Sequence, residues 1–209
     1  IALVSYPSYD TETLANKYAS LRDDTRRRPL WPRALAIEYP PGSIVKPASL
    51  LVGLSSGRVR PDTHVECRGK QFAESDAWRC WTVWRHLEPH GTLDGIGALQ
   101  HSCNVFFYTL GQNVGADRLT RGFRELIYGP GCESPGAHWT GTGLSEEAGG
   151  LVPWPERLRR PFRVADGRNY AIGQGEFQIT PLQAANLMAT IACGDFLPIL
   201  DGGYSLQYS

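Results

Sequence analysis

The sequence has no net charge, few lysines and no long apolar stretch. Its 21 basic residues (Lys and Arg) balance 21 acidic ones, so the formal net charge is zero. A balance of this kind argues against a nucleic-acid-binding surface. No run of 18 apolar residues occurs, so the sequence predicts no membrane-spanning helix. With 42% hydrophobic residues among 209, we expect one substantial core.

The scarcity of lysine draws attention to one serine–lysine pair. Lys17, Lys46 and Lys70 are the only three lysines among the 21 basic residues. Lysine can become a base if burial lowers its pKa, whereas arginine cannot. Lys46 follows Ser43 by three positions, and residues with this spacing share a helix face. The pattern predicts a Ser43 nucleophile with Lys46 as its base; on the pattern alone, an exposed helix start capped by Ser43 is the alternative.

The residues around this pair favour the catalytic interpretation. Pro40-Pro41-Gly42 makes a stiff, tight approach to the serine, and Pro47 is tolerated in the first turn of a helix. A second polar run, Ser102-Cys103-Asn104, precedes an apolar stretch. The region from Gly95 to Val114 reads as two helices with Ser102 near the break between them.

A further helix is predicted near the end of the sequence. Thr180-Pro181-Leu182-Gln183 is typical of a capping box, with proline at the first helical position. Gly173 and Gly175 suit unusual backbone angles, and we interpret them as a turn from a strand into a helix. Five apolar residues of the helix recur at helical spacing and are expected to face the core: Leu182, Ala185, Leu187, Met188 and Ile191.

These motifs together resemble the transpeptidase domain of class B penicillin-binding proteins of the elongation type. The similar segments, in order, are residues 4–10, Tyr39-Pro40-Pro41-Gly42-Ser43-Ile44-Val45-Lys46-Pro47, His90-Gly91, Ser102-Cys103-Asn104 and Ile172-Gly173-Gln174-Gly175 with Thr180-Pro181-Leu182-Gln183. The resemblance implies an α+β fold, the penicillin-binding protein transpeptidase (β-lactamase-like) fold. Residues 1–209 would form a partial transpeptidase domain, its helix-rich portion, with part of the central antiparallel sheet missing at both ends.

The resemblance also implies a reaction. Ser43 would attack the penultimate D-alanine carbonyl of a peptidoglycan stem peptide ending in D-Ala-D-Ala, with Lys46 as general base. Ser102 and Asn104 would relay protons and hold the substrate, and β-lactam antibiotics would acylate Ser43. A non-catalytic or degenerate penicillin-binding domain is the first alternative. A β-lactamase is less favoured, because no E-x-x-L-N segment supplies a glutamate base.

Family members lie on the extracytoplasmic (periplasmic) face of the bacterial inner membrane. They are anchored by an N-terminal helix, and they work with a membrane glycosyltransferase through regions that this sequence does not contain. The family's K-T-G or K-S-G motif is also absent from the 209 residues. We expect the sequence to be part of a longer reading frame, and we expect these residues alone to be inactive, because that strand contributes to the oxyanion hole.

Four further residues match a zinc site of the family. The resemblance assigns Cys67, Cys80, His90 and Cys103 as the ligands of a structural zinc ion beside the active site, a closed set of three thiolates and one imidazole. A disulfide or buried thiols are the alternatives. His86 competes with His90 as the fourth ligand, but the glycine after His90 gives the better match. Of the remaining cysteines, Cys132 and Cys193 are expected to be core thiols.

Overall fold

The protein is described by a computed structural model that covers residues 4–129 and 146–194. Helices dominate this part of the chain, and the short strands lie between them. The elements are α1 (Leu14–Asp23), α2 (Arg33–Ala36), a 3₁₀ turn (Gly42–Val45), α3 (Lys46–Ser55), β1 (Val65–Cys67), α4 (Trp81–Trp84), β2 (Gly91–Leu93), α5 (Gly95–Gln100), α6 (Asn104–Val114), α7 (Ala116–Tyr128), α8 (Pro155–Leu158), α9 (Val164–Ala171) and α10 (Pro181–Cys193).

Two small β arrangements tie distant parts of the chain together. Strands β1 and β2 pair antiparallel, with Cys67 opposite Gly91. Elsewhere the extended residues before α10 pair on both sides, since Ile179 forms a bridge with Tyr39 and Gln178 forms one with Leu151. The second arrangement joins the segment before the 3₁₀ turn to the segment before α10.

The core is centred on α6, which packs against both α3 and α9. Phe106, Phe107 and Leu110 of α6 are almost completely buried. The backbones of α6 and α9 come very close together, because Gly111 and Gly167 leave no side chain between them. A methyl group on Gly111 would collide with the carbonyl oxygen of Gly167. This close contact fixes the position of α9 on the core.

The inward face of α10 differs from the prediction. The capping box is confirmed, and Leu182 and Leu187 are buried, but Ala185 and Met188 are exposed. Three polar residues take their place in the interior: Gln183, Asn186 and Thr190. Hydrogen bonds make this possible, since the Asn186 side-chain amide donates to the Ile127 carbonyl at 3.0 Å. A count of apolar residues cannot anticipate a polar residue that is buried because its amide binds a carbonyl of another helix.

The glycine turn is also placed differently from the prediction. Gly173 and Gly175 have φ angles of 69° and 82°, which confirms the expected unusual backbone. The turn does not lead from a strand into a helix, however. It follows α9 and leads into the extended residues 177–179 that precede α10.

Two further predictions concern membrane-spanning helices and the cysteines Cys132 and Cys193. Within residues 4–129 and 146–194, no helix combines the length and the apolar character needed to cross a membrane. Cys193 is exposed rather than buried, because it lies at the end of α10. Cys132 lies outside the described residues.

Candidate active site and metal site

Ser43 lies in the 3₁₀ turn that leads into α3. Gly42 has a φ of 61°, a left-handed conformation that glycine adopts without strain. The turn leaves the Ser43 side chain exposed, while Lys46, the first residue of α3, is only 2% exposed. The sequence thus places an accessible hydroxyl next to a buried amine.

The Lys46 amine donates its hydrogen bonds to Ser102, in the segment between α5 and α6, and to Asn104, the first residue of α6. Its Nζ donates to the Ser102 carbonyl at 2.7 Å, to the Ser102 hydroxyl at 2.9 Å and to Asn104 Oδ1 at 2.7 Å. Three acceptors match the three N–H bonds of an ammonium group. The Phe107 ring, with its centroid 5.4 Å from Nζ, closes the site on the apolar side.

The link between the serine and the lysine runs through Ser102. The Ser102 hydroxyl lies 3.0 Å from Ser43 Oγ and 2.9 Å from Lys46 Nζ. The direct contact between Ser43 and Lys46 that their spacing predicts is not formed in the described structure, because the three N–H bonds of Nζ are already directed at Ser102 and Asn104. The four predicted residues therefore come together as a chain, with Ser102 in the middle.

Ser102 is held in an uncommon backbone conformation. Its φ is 49°, one of four positive values among the non-glycine residues of the described chain. The break predicted here is confirmed, with α5 ending at Gln100 and α6 starting at Asn104. A left-handed non-glycine residue costs on the order of 1–3 kcal/mol and clusters at functional sites. This cost is offset by the two hydrogen bonds that the conformation allows, because both the carbonyl and the hydroxyl of Ser102 accept from Lys46.

Burial changes the acid–base behaviour of Lys46. Loss of solvent around the ammonium lowers its pKa from 10.5 to about 8, even though negative charge on Cys80 and Cys103 acts in the opposite direction. A lysine with a pKa near 8 is present in part as the free amine at neutral pH. The site can therefore accept a proton from a hydroxyl without strong alkali.

The glycine turn after α9 packs directly on the serine turn. Gly42 donates its N–H to the Gly173 carbonyl at 2.9 Å. A Cβ atom on Gly173 would overlap the backbone of Gly42. The next turn of α3 is fixed in the same way, because the buried Ser49 hydroxyl donates to the Ala171 carbonyl at 2.9 Å. The end of α9 thus supports the start of α3 at two points.

Sequence reasoning missed both of these supports. The pairing of two glycines, one in each motif, was the available signal for the contact between Gly42 and Gly173. Ser49 gave no signal, since a serine one turn along an apolar helix resembles a surface position until the packing of α9 is known.

Three cysteines and one histidine converge beside this site. The ligand atoms of Cys67, Cys80, His90 and Cys103 all lie within 4.8 Å of one another. Cys67 ends β1, Cys80 precedes α4, and Cys103 precedes α6. The pairing of β1 with β2 brings His90, the residue before β2, alongside Cys67. His86 is exposed and is not part of this cluster.

The cluster has the donor set and the dimensions of a tetrahedral metal site. Cys80 Sγ and His90 Nδ1 are 3.6 Å apart. A tetrahedral ion with a metal–sulfur bond of about 2.3 Å and a metal–nitrogen bond of about 2.0 Å requires a separation of about 3.5 Å. The three sulfurs are buried and form no disulfide. These four residues could hold a metal ion.

The thiols influence one another strongly. Hydrogen bonds from Cys103 and Cys67 hold the pKa of Cys80 well below its usual value. The same contacts, with Cys67 and Cys80, raise the pKa of Cys103. A lowered thiol pKa favours the thiolate, which is the form of cysteine that binds a metal ion. Because Cys103 lies between Ser102 and Asn104, an ion at this position would fix the segment that binds Lys46.

Comparison with known proteins shows the family to which the chain belongs. Residues 1–199 match the family model of the penicillin-binding protein transpeptidase domain. The peptidoglycan D,D-transpeptidase MrdA of Escherichia coli K12 is 33% identical over 199 residues, which cover 90% of this chain and 29% of that protein. The chain therefore spans less than a third of the length of this curated relative.

Two solved structures of the same type have similar folds. A crystal structure of Pseudomonas aeruginosa PBP2 in complex with WCK 5153 has a TM-score of 0.77 at 31% identity, covering 99% of this chain and 48% of that one. A complex between PBP2 and MreC from Helicobacter pylori has a TM-score of 0.76 at 30% identity, covering 93% and 36%. These matches confirm the predicted fold class. The chain belongs to the penicillin-binding protein transpeptidase family, and its relatives are class B proteins of the PBP2/MrdA type.

Proposed function

We propose that residues 1–209 are part of one transpeptidase domain that cross-links peptidoglycan stem peptides through a serine acyl-enzyme. The observation that carries the proposal is the chain of contacts from the exposed Ser43 hydroxyl through Ser102 to the buried Lys46 amine. The related MrdA of Escherichia coli carries the name peptidoglycan D,D-transpeptidase. We propose the same activity for the domain to which this chain belongs.

In the first half-reaction Ser43 acts as the nucleophile. Its Oγ attacks the penultimate D-alanine carbonyl and passes its proton to the Ser102 hydroxyl, which in turn gives its own proton to the free amine of Lys46. Both hydroxyls can rotate to donate in this direction. When the peptide bond breaks, the proton on Lys46 returns through Ser102 to the nitrogen of the leaving D-alanine. The product is an ester between Ser43 and the shortened stem peptide.

In the second half-reaction an amine of a neighbouring stem peptide attacks the ester. Its excess proton passes along the same route to the Ser43 oxygen, so the new peptide bond forms as the ester breaks. Asn104 orients the Lys46 amine through its Oδ1 atom, and the resemblance implies that it also helps to hold the substrate. β-Lactams would acylate Ser43 in the same way, because their strained amide takes the place of the scissile peptide bond.

The metal ion proposed for the cysteine cluster is zinc. Three sulfurs and one imidazole nitrogen form a soft, closed donor set, which zinc favours in structural sites. When bound, the ion would fix the structure without taking part in the reaction. Cys103 is the residue that connects the two sites, since it lies between Ser102 and Asn104 in the chain.

The proposed location and partners follow from the family. We place the domain on the extracytoplasmic side of the bacterial inner membrane, where stem peptides ending in D-Ala-D-Ala are found. The partner we propose is a membrane glycosyltransferase of the elongation machinery, bound through parts of the protein other than these residues. The PBP2 of Helicobacter pylori forms a complex with MreC, and a protein of that kind is a further candidate partner.

The proposal is tested by incubating the protein encoded by the full reading frame with a synthetic stem peptide ending in D-Ala-D-Ala and an amine acceptor. Release of one D-alanine for each cross-linked product is expected, and Ser43→Ala should abolish it. Ser55→Ala is the matched control, because Ser55 lies at the far end of the same helix. Rapid hydrolysis of β-lactams without cross-linking would favour a β-lactamase, and absence of both reactions would favour a non-catalytic domain.

A further inference from the structure

A network of charged and polar groups surrounds the glycine turn and has no part in the proposed reaction. Arg160, which follows α8, forms a two-point ion pair with Asp166 of α9, at 2.6 and 3.1 Å. The same guanidinium donates to Glu176 Oε1 at 3.0 Å. Arg160 therefore joins the first turn of α9 to the residue that directly follows the glycine turn.

A second contact holds Glu176 from the other end of α9. The hydroxyl of Tyr170, a fully buried residue, donates to Glu176 Oε2 at 3.2 Å. Each carboxylate oxygen of Glu176 thus has its own donor, and both donors are anchored to α9 or to its first turn. The loop that contains the glycine turn is closed by these two bonds.

The closed loop is the one that supports the nucleophile. Between Tyr170 and Glu176, the Gly173 N–H donates to the Tyr170 carbonyl at 3.0 Å, and the Gly173 carbonyl accepts the Gly42 N–H at 2.9 Å. Gly42 is directly followed by Ser43. A displacement of the loop would therefore be passed to the nucleophile through one hydrogen bond and one peptide unit.

The two carboxylates that bind Arg160 differ in burial. The difference indicates that Asp166 supports the core and that Glu176 supports only the loop. The Asp166 side chain is 8% exposed, so burial disfavours its charge, yet the hydrogen bonds from Arg160 and the Arg163 backbone keep its pKa below the usual value. The Glu176 side chain is 47% exposed. Removing Glu176 would leave the buried ion pair and the packing of α9 intact.

We propose that Glu176, held by Arg160 and Tyr170, is a positioning residue that keeps the Gly173 turn against Gly42 and so fixes Ser43 for acylation. This inference rests on the proposed function, because its effect is on the Ser43 reaction. Glu176 acts through the loop and does not contact the substrate. Misplacement of a reacting group by about 1 Å costs up to a hundredfold in rate, so loss of the Glu176 carboxylate, and with it of both bonds to the loop, should cost about tenfold.

The test measures acylation by a fluorescent penicillin in the protein encoded by the full reading frame, with the rate constant and the apparent binding constant determined separately. Glu176→Ala should lower the acylation rate constant about tenfold and leave the apparent binding constant and the pH midpoint of acylation unchanged. Tyr170→Phe removes one bond to Glu176 but keeps the ring, and should lower the rate less. Glu176→Gln retains an acceptor oxygen and an amide group, and should restore most of the rate.

Control variants separate the proposed role of Glu176 from the general effects of substitution. Arg60→Ala removes an exposed ion pair with Asp62 and should change nothing. Adding Tyr170→Phe to Glu176→Ala should cause no further loss, because both changes act on the same bond. Equal rates in Glu176→Ala and the unmodified protein, a loss explained by a smaller folded fraction, or a shifted pH midpoint would each overturn the positioning role. If the unmodified protein is not acylated at Ser43, the proposed function itself fails, which is a distinct result.

Discussion

The lowered pKa of Lys46 predicts how the acylation of Ser43 depends on pH. Burial brings this pKa from 10.5 to about 8. At pH 7 about 10% of the amine is then unprotonated, compared with about 0.03% for an ordinary lysine, a difference of roughly 300-fold in available base. Because the neutral amine is the base, the acylation rate should rise about tenfold per pH unit below the midpoint and level off above it.

The assay is the rate of fluorescent-penicillin acylation between pH 6 and pH 10, with the folded fraction checked at each pH. Lys46→Arg keeps the positive charge but cannot deprotonate, and it should lose at least about a hundredfold in rate at every pH. A rate independent of pH over this range, a midpoint near the ordinary lysine value, or a Lys46→Arg variant as fast as the unmodified protein would refute the role of Lys46 as the base.

Three further predictions concern the supports of the site. Removal of the metal by a chelator, or Cys80→Ser, should lower the melting temperature and slow acylation. Metal analysis should find one zinc per chain in the untreated protein. Equal melting temperatures with and without chelator would contradict the metal site. Gly111→Ala should destabilise the fold by about 1–3 kcal/mol in denaturant titrations, because the methyl group meets the backbone of Gly167; a change below about 0.5 kcal/mol would mean that the two helices can separate without cost. Gly173→Ala should slow acylation more than Gly111→Ala does at equal folded fraction, since it pushes on Gly42, and the reverse order would show that the contact does not matter to the reaction.

Local sequence signals were sufficient for several elements of the structure. The capping box at Thr180 and the helix break at Ser102 both depend on residues within a few positions of each other, and both were predicted. The serine turn was predicted for the same reason, because Pro40 and Pro41 restrict the backbone and Gly42 permits the left-handed conformation that follows them. The grouping of the cysteines depended on resemblance to a family, since their spacing carries no metal motif by itself.

Other features depend on packing between distant segments and could not be predicted. Lys46 contacts Ser102 rather than Ser43 because its acceptors belong to Ser102 and Asn104, which lie 56 and 58 positions after Lys46 in the sequence. The polar inward face of α10 depends on the Ile127 carbonyl of another helix, which the α10 sequence does not specify. The support of Gly42 by Gly173 requires both turns to be positioned by α3 and α9.

The central claim is that Ser43 is the nucleophile, and the most direct measurement is the site of covalent modification by penicillin. The protein encoded by the full reading frame would be treated with penicillin, digested, and mapped by mass spectrometry. We predict a single penicilloyl adduct on the peptide that contains Ser43, absent in Ser43→Ala and strongly reduced in Lys46→Arg. An adduct on a different residue, or full labelling of Ser43→Ala, would contradict the account.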